Sequence, residues 1–101
     1  MAAYMVAFVD IKDRARFANE YVGGVIPSLK PFGGKVLAVS DDSTTKEGTV
    51  PPGRTVLIEF PDLEQAEGWY ASDAYAPLIE IRKATASTAM VMFPGGLNAR
   101  S

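Results

Sequence analysis

Residues 54–82 read RTVLIEFPDLEQAEGWYASDAYAPLIEIR, and this stretch decides the fold. Arg54 to Phe60 is a run of β-branched and apolar residues broken only by Glu59, and it reads as a strand. Pro61-Asp62 stops it, and Asp62 followed three residues later by Gln65 has the spacing of a capping box, so a helix is expected to about Ala71. Ser72 or Asp73 breaks and recaps that helix. A second segment is expected from about Ala74 to Ala84, with Pro77 tolerated in its first turn, where the missing N–H has no partner to lose.

Working outward, Tyr4 to Ile11 is a compact strand, and Asp13 is placed to cap a helix. Phe17, Tyr21, Val25 and Leu29 recur every four residues, which predicts one helix from about Asp13 to Lys30 with an apolar stripe. Gly23 and Gly24 weaken its middle, Pro27 kinks it, and Pro31 with Gly33-Gly34 ends it in a turn. Lys35 to Ser40 is a second strand, Asp41 to Gly53 a long polar loop, and Ser87 to Phe93 a last strand. The order strand, helix, strand, strand, helix, strand specifies an α+β, ferredoxin-like βαββαβ sandwich: a four-stranded antiparallel sheet with its helices on one face. One domain is expected over residues 1–94, with 95–101 a mobile tail. A sheet with one wet face should alternate apolar and polar residues. YMVAFV, KVLAVS, TVLIEF and AMVMF carry apolar side chains on both faces instead. The helices of one chain cover only one face, so a homodimer joined sheet to sheet is expected.

The totals exclude much chemistry. The 101 residues have a net charge of −2 with both signs scattered, which argues against a broad basic surface, so neither nucleic acid nor a membrane is expected as a partner. With no cysteine and no histidine, there is no disulfide, no thiolate nucleophile, no histidine base and no Ser-His-Asp triad. The glycines form no phosphate-loop or dinucleotide pattern, and Asp41-Asp42 lacks calcium-loop spacing, so no cofactor and no metal is expected. The start, MAAYMVAFVD, lacks the features of a signal peptide and no apolar run approaches a membrane span, which makes the cytoplasm the expected location.

The run Pro51-Pro52-Gly53-Arg54 into VLIEFP, then Trp69-Tyr70 with Ser72, Tyr75, Leu78 and Arg82, resembles the domain-of-unknown-function 1330 family. Gly33-Gly34 and Tyr21 fit the same pattern, and the resemblance runs from about Tyr4 to Phe93. It implies the dimeric α/β-barrel superfamily, in which two ferredoxin-like chains pack their sheets into one barrel, and it implies no particular reaction. Superfamily relatives include cofactor-free monooxygenases, haem-degrading enzymes, muconolactone isomerase-like enzymes and ligand-sensing domains. Phe32 departs from the pattern, since members often place a histidine before the paired glycines.

Glu59 and Arg82 are the candidate catalytic residues. An acid inside an apolar strand has a raised pKa and serves as a proton acceptor or donor, or else is the partner of an arginine. The planar fork of Arg82 suits a carboxylate or enolate ligand, or equally an ion pair with Glu59 or Glu80. Candidate ligand-binding residues are Tyr21, Arg54, Trp69, Tyr70 and Tyr75. Trp69 and Tyr70 point about 100° apart on a helix, so one is expected in the core and the other at an edge. Aromatics at helical spacing are usually core, Arg54 is otherwise a solvated strand end, and Ser72 is best explained as a cap. The leading expectation is a homodimer that binds a small organic molecule, acidic in one version, in a pocket between sheet and helices. The alternatives are a cofactor-independent monooxygenase- or isomerase-like enzyme with Glu59 as general base, and a structural module in which Glu59 and Arg82 are a buried pair.

Overall fold

The structure is a computed structural model and describes residues 1–98. Strand β1 (Ala3–Ile11) takes the centre of the sheet, antiparallel to β3 (Arg54–Phe60) on one side and β4 (Ala86–Pro94) on the other. Strand β2 (Lys35–Ser40) pairs antiparallel with β3, giving the order β2-β3-β1-β4 of a ferredoxin-like sandwich. The β2–β3 register slips between Val36 and Ala38, a bulge in the edge strand. All four strands lie where the sequence predicts them, within a residue at each end.

The strict alternation of β1 decides which face is the core. Ala3, Met5, Ala7 and Val9 are buried and face the helices together with Ile58 and Phe60 of β3. Phe17, Leu29, Trp69, Tyr75 and Leu78 close over them from the helical layer. Tyr4, Val6 and Phe8 point the other way. The exposure of Val91 (59%) and Phe93 (43%) shows how open that second face is in one chain. It carries large apolar side chains, as the two-faced strands imply.

The N-terminal helical segment is less regular than one kinked helix. It runs as a short turn α1 (Arg14–Arg16), a π-helical turn (Phe17–Val22), α2 (Gly23–Leu29) with Pro27 inside, and a 3-10 turn (Lys30–Phe32). The Asp13 carboxylate caps it by accepting from the Arg16 backbone N–H at 3.1 Å. An apolar stripe repeating every four residues drifts around a 3.6-residue helix. The wider π turn cancels part of that drift, and Phe17 and Tyr21 stack at 4.8 Å between ring centroids. Gly33 then turns the chain at φ +68°, close against Pro61, where a side chain fits neither the backbone nor the space.

Helix α3 (Leu63–Tyr70) starts as predicted, with the Asp62 carboxylate accepting from the Gln65 N–H at 2.8 Å. Ser72 makes the break. Its hydroxyl donates to the Trp69 carbonyl at 2.7 Å and accepts from the Tyr75 N–H at 3.2 Å, which aims Tyr75 inward before α4 (Ala76–Thr85) begins. The loop of residues 41–53 is exposed throughout and held at its base by Arg54–Asp41 and by Ser43–Thr55 hydroxyls 2.6 Å apart. After β4, the Gly95 N–H donates to the Ala2 carbonyl at 2.7 Å, so the segment expected to be mobile is tied to β1 where it begins. The rest of that expectation, over residues 99–101, lies outside the described residues. Among the described residues no helix is long and apolar enough to cross a membrane.

Candidate functional site

A cavity of about 200 Å³ lies between the helix-facing side of the sheet and the N-terminal helical segment. Met5, Ala7, Val9, Val56, Ile58 and Met90 make its floor, and Phe17, Tyr21 and Val25 its roof. Its mouth opens beside the edge strand, between Val22 and Ile26 on the helix and Val36 and Val39 on β2. Ile26 is 56% and Val39 53% exposed, so the rim offers bare apolar surface to solvent. Against this lining the polar residues are few: Tyr21, Arg54 and Arg82.

Arg82 is the unusual one. Only 5% of it is exposed, yet no carboxylate lies within ion-pairing reach among the described residues. One terminal nitrogen donates to the Tyr75 hydroxyl at 3.0 Å, and the buried Nε–H has no partner. Burying an ion costs several kcal/mol even after relaxation, and a buried charge is normally paired. Burial works to lower the Arg82 pKa, but the Tyr75 and Tyr21 oxygens more than offset it, and the guanidinium stays charged. Arg54 differs, since its fork grips Asp41 at 2.9 and 3.2 Å and both groups are partly solvated. That pairing holds the Asp41 carboxyl below its usual range.

Behind Arg82 stands an aromatic layer. The Tyr75 and Tyr21 hydroxyl oxygens are 2.5 Å apart, and burial pushes both hydroxyls above their usual pKa, so both are neutral. Tyr75 packs on Trp69 at 4.0 Å between centroids, and the Trp69 indole N–H donates to Ser28 at 3.0 Å. Trp69 and Tyr75 are fully buried and do not line the cavity, whereas Tyr70 sits at the helix edge. Of the five residues expected to bind a ligand, Tyr21 and Arg54 reach the cavity. Trp69 and Tyr75 support it from behind, and Tyr70 packs against them.

Glu59 and Arg82 are not brought together. Glu59 pairs across the sheet with Tyr4 and with Lys35, so its side chain leaves the open face while Arg82 is buried on the helical side. The buried pair of the structural-module alternative does not form among the described residues, and Glu59 is not among the residues of the cavity wall. Its partner is the Tyr4 hydroxyl, which donates to it at 3.1 Å and whose own pKa the carboxylate raises. The cause is strand parity: neighbours on a strand face opposite ways, and Ile58 takes the cavity side. Met5, Val56 and Met90, which the sequence shows only as members of apolar strand runs, form part of the cavity wall. The parity of β1 was the available signal for that.

A family model described as Domain of unknown function (DUF1330) matches residues 2–96. The chain belongs to this family. No curated protein matches it. Among solved structures, the DUF1330 chain is similar to the RPA0582 protein of unknown function from Rhodopseudomonas palustris, with a TM-score of 0.77 at 14% identity over 95% of this chain and 83% of that one. It is similar to SnoaB, a cofactor-independent oxygenase from Streptomyces nogalater, at TM-score 0.66 and 11% identity over 99% and 98%. It is also similar to a dimeric protein of unknown function and ferredoxin-like fold from Bacteroides fragilis, at TM-score 0.52 and 13% identity over 93% and 96%. At these identities the likeness is one of fold.

Proposed function

We propose that this DUF1330 protein binds a small organic molecule with an apolar body and one anionic oxygen group, held in the cavity under the N-terminal helical segment with Arg82 as its counter-ion. The observation that carries this reading is the buried guanidinium without a carboxylate partner, at the edge of an otherwise apolar cavity. A cavity of about 200 Å³ exceeds the roughly 150 Å³ that accommodates benzene and falls below the roughly 300 Å³ at which drug-sized pockets begin, which limits the ligand to a small one. An enzymatic version uses the same cavity, with Arg82 holding a developing enolate. Likeness in fold to a cofactor-independent oxygenase supports that version only as analogy. Glu59, on the far face of the sheet, has no part in it.

A matched set of eight-carbon compounds tests the reading by thermal denaturation. Octanoate is expected to raise the melting temperature, by the equivalent of about 2.7 kcal/mol at a hundredfold excess over Kd. Octan-1-ol and octanamide are expected to bind at least about tenfold more weakly, because neither supplies an anion. Equal responses to all three, or none to octanoate, would sink the proposal.

The open face of the sheet is assigned to a second copy of the chain, joined face to face. Support comes from the exposed Val91 and Phe93 beside Tyr4 and Val6, and from a structural neighbour that is itself dimeric. Val91→Glu places a charge in the middle of that face and is expected to convert a dimer into a folded monomer in sedimentation velocity at micromolar concentration. A wild-type chain that sediments as a monomer there overturns this assignment.

A further inference from the structure

The ligand reading leaves open what the tyrosines do. Three polar groups form a chain, Arg82 to Tyr75 to Tyr21, and each hydroxyl is neutral, so each has a proton to place. Arg82 is donor only and occupies one acceptor position on the Tyr75 oxygen. Tyr75 is fully buried, and the Tyr21 oxygen is the only acceptor within reach of its proton among the described residues. Were Tyr21 the donor in that short contact, the Tyr75 proton would be buried with no acceptor, a cost of about 1–3 kcal/mol. The opposite direction leaves the Tyr21 proton on the side of the open cavity, where water entering from its mouth can accept it.

We infer that the chain runs one way, Arg82 donating to Tyr75 and Tyr75 to Tyr21, so that Tyr21 presents its O–H to the cavity that the Arg82 side chain also lines, and that this donor, backed by the buried charge, selects a carboxylate. The ligand half of this inference rests on the function proposed above. The direction of the chain does not. A carboxylate accepts from Tyr21 and its charge complements the guanidinium, whereas a carboxamide or an alcohol accepts from Tyr21 but brings no charge. Tyr21 is thus a specificity-determining residue in contact with the ligand. Tyr75 is a positioning residue that acts through it. The charge at the head of the chain polarises both hydroxyls and strengthens the last donor. The π turn at Phe17–Val22 carries Tyr21 and sets its ring against Tyr75 at 6.3 Å, edge to face.

Two measurements on the intact protein test the two halves separately. The first needs no ligand: hydroxyl exchange at each tyrosine, read from the hydrogen–deuterium isotope shift of the Cζ carbon by NMR. Tyr21 is expected to exchange fast in the wild type and equally fast in Tyr75→Phe, because its proton is not given to Tyr75. Slow exchange at Tyr21 that becomes fast in Tyr75→Phe means the chain runs the other way and overturns the inference. The second is calorimetric binding of octanoate and octan-1-ol to wild type and Tyr21→Phe. A loss of about tenfold or more for octanoate, with octan-1-ol unchanged within about twofold, supports the carboxylate clamp. Parallel losses for both compounds reduce Tyr21 to a piece of wall and overturn the clamp. Fast exchange at Tyr21 together with no octanoate binding to the wild type rejects the ligand reading and the clamp, and leaves the direction of the chain standing.

Discussion

Arg82→Met is expected to leave the ligand-free protein as stable as the wild type or more so, and to abolish stabilisation by octanoate. The two halves of that result come from one fact. The wild-type guanidinium is 95% buried, has one hydrogen-bond partner, an unsatisfied Nε–H and no counter-ion, so neutral tyrosine oxygens alone stand against the cost of desolvating it on folding. Replacing buried ionic groups by apolar ones of similar volume is often neutral or stabilising by about 1–4 kcal/mol, whereas deleting one partner of a true buried pair costs about 3–5 kcal/mol. A charge retained against stability is what a binding site requires. Urea denaturation with and without octanoate checks both halves. If Arg82→Met loses 3 kcal/mol or more without ligand, the arginine is a structural post for Tyr75, and the proposed ligand loses its main support.

The largest stability effect is expected at Trp69. Trp69→Ala removes a fully buried indole that packs on Phe60 at 5.6 Å and on Tyr75 at 4.0 Å and donates to Ser28. Truncations of this kind cost about 3–5 kcal/mol through lost burial and the cavity left behind. A small domain has roughly 5–15 kcal/mol in total, so the variant should be near the edge of folding, its melting temperature lower by at least about 12 °C. Trp69→Phe keeps the ring contacts and loses the N–H, so its loss should be about 1–2 kcal/mol. Losses below 1 kcal/mol in Trp69→Ala would mean that this layer is not the keystone between α3, α4 and the sheet.

The strands were legible because their signals are local. β-branched runs bounded by Gly33-Gly34, by the polar loop and by Pro61-Asp62 leave little choice, and Asp62 spaced three residues from Gln65 announces a helix start that the structure keeps. The π turn was not legible. Its cause is the docking of Phe17 and Tyr21 onto the core, a tertiary demand that a four-residue spacing only hints at. At the site, Tyr21, Arg54 and Arg82 were identifiable by type, as polar groups among apolar neighbours. Their grouping was not. Glu59 looked like Arg82's partner because both interrupt apolar runs, yet one residue of strand parity puts the sheet between them. The cavity wall was harder still, because an empty space beside Met5 and Val56 leaves no trace in which residues are apolar.

The extra residue in the turn at Phe17–Val22 bears on how such a protein changes over generations. Lengthening or shortening a helix by one residue rotates everything beyond it by about 100°. A deletion in this turn would swing Tyr21 away from Tyr75 and bring a neighbour to the cavity in its place, while the sheet, Trp69 and Arg82 stay where they are. A lineage built on this scaffold therefore has a route to new ligands through length as well as through substitution. Relatives with equal cavities and different preferences should differ in the residue count between β1 and the paired glycines.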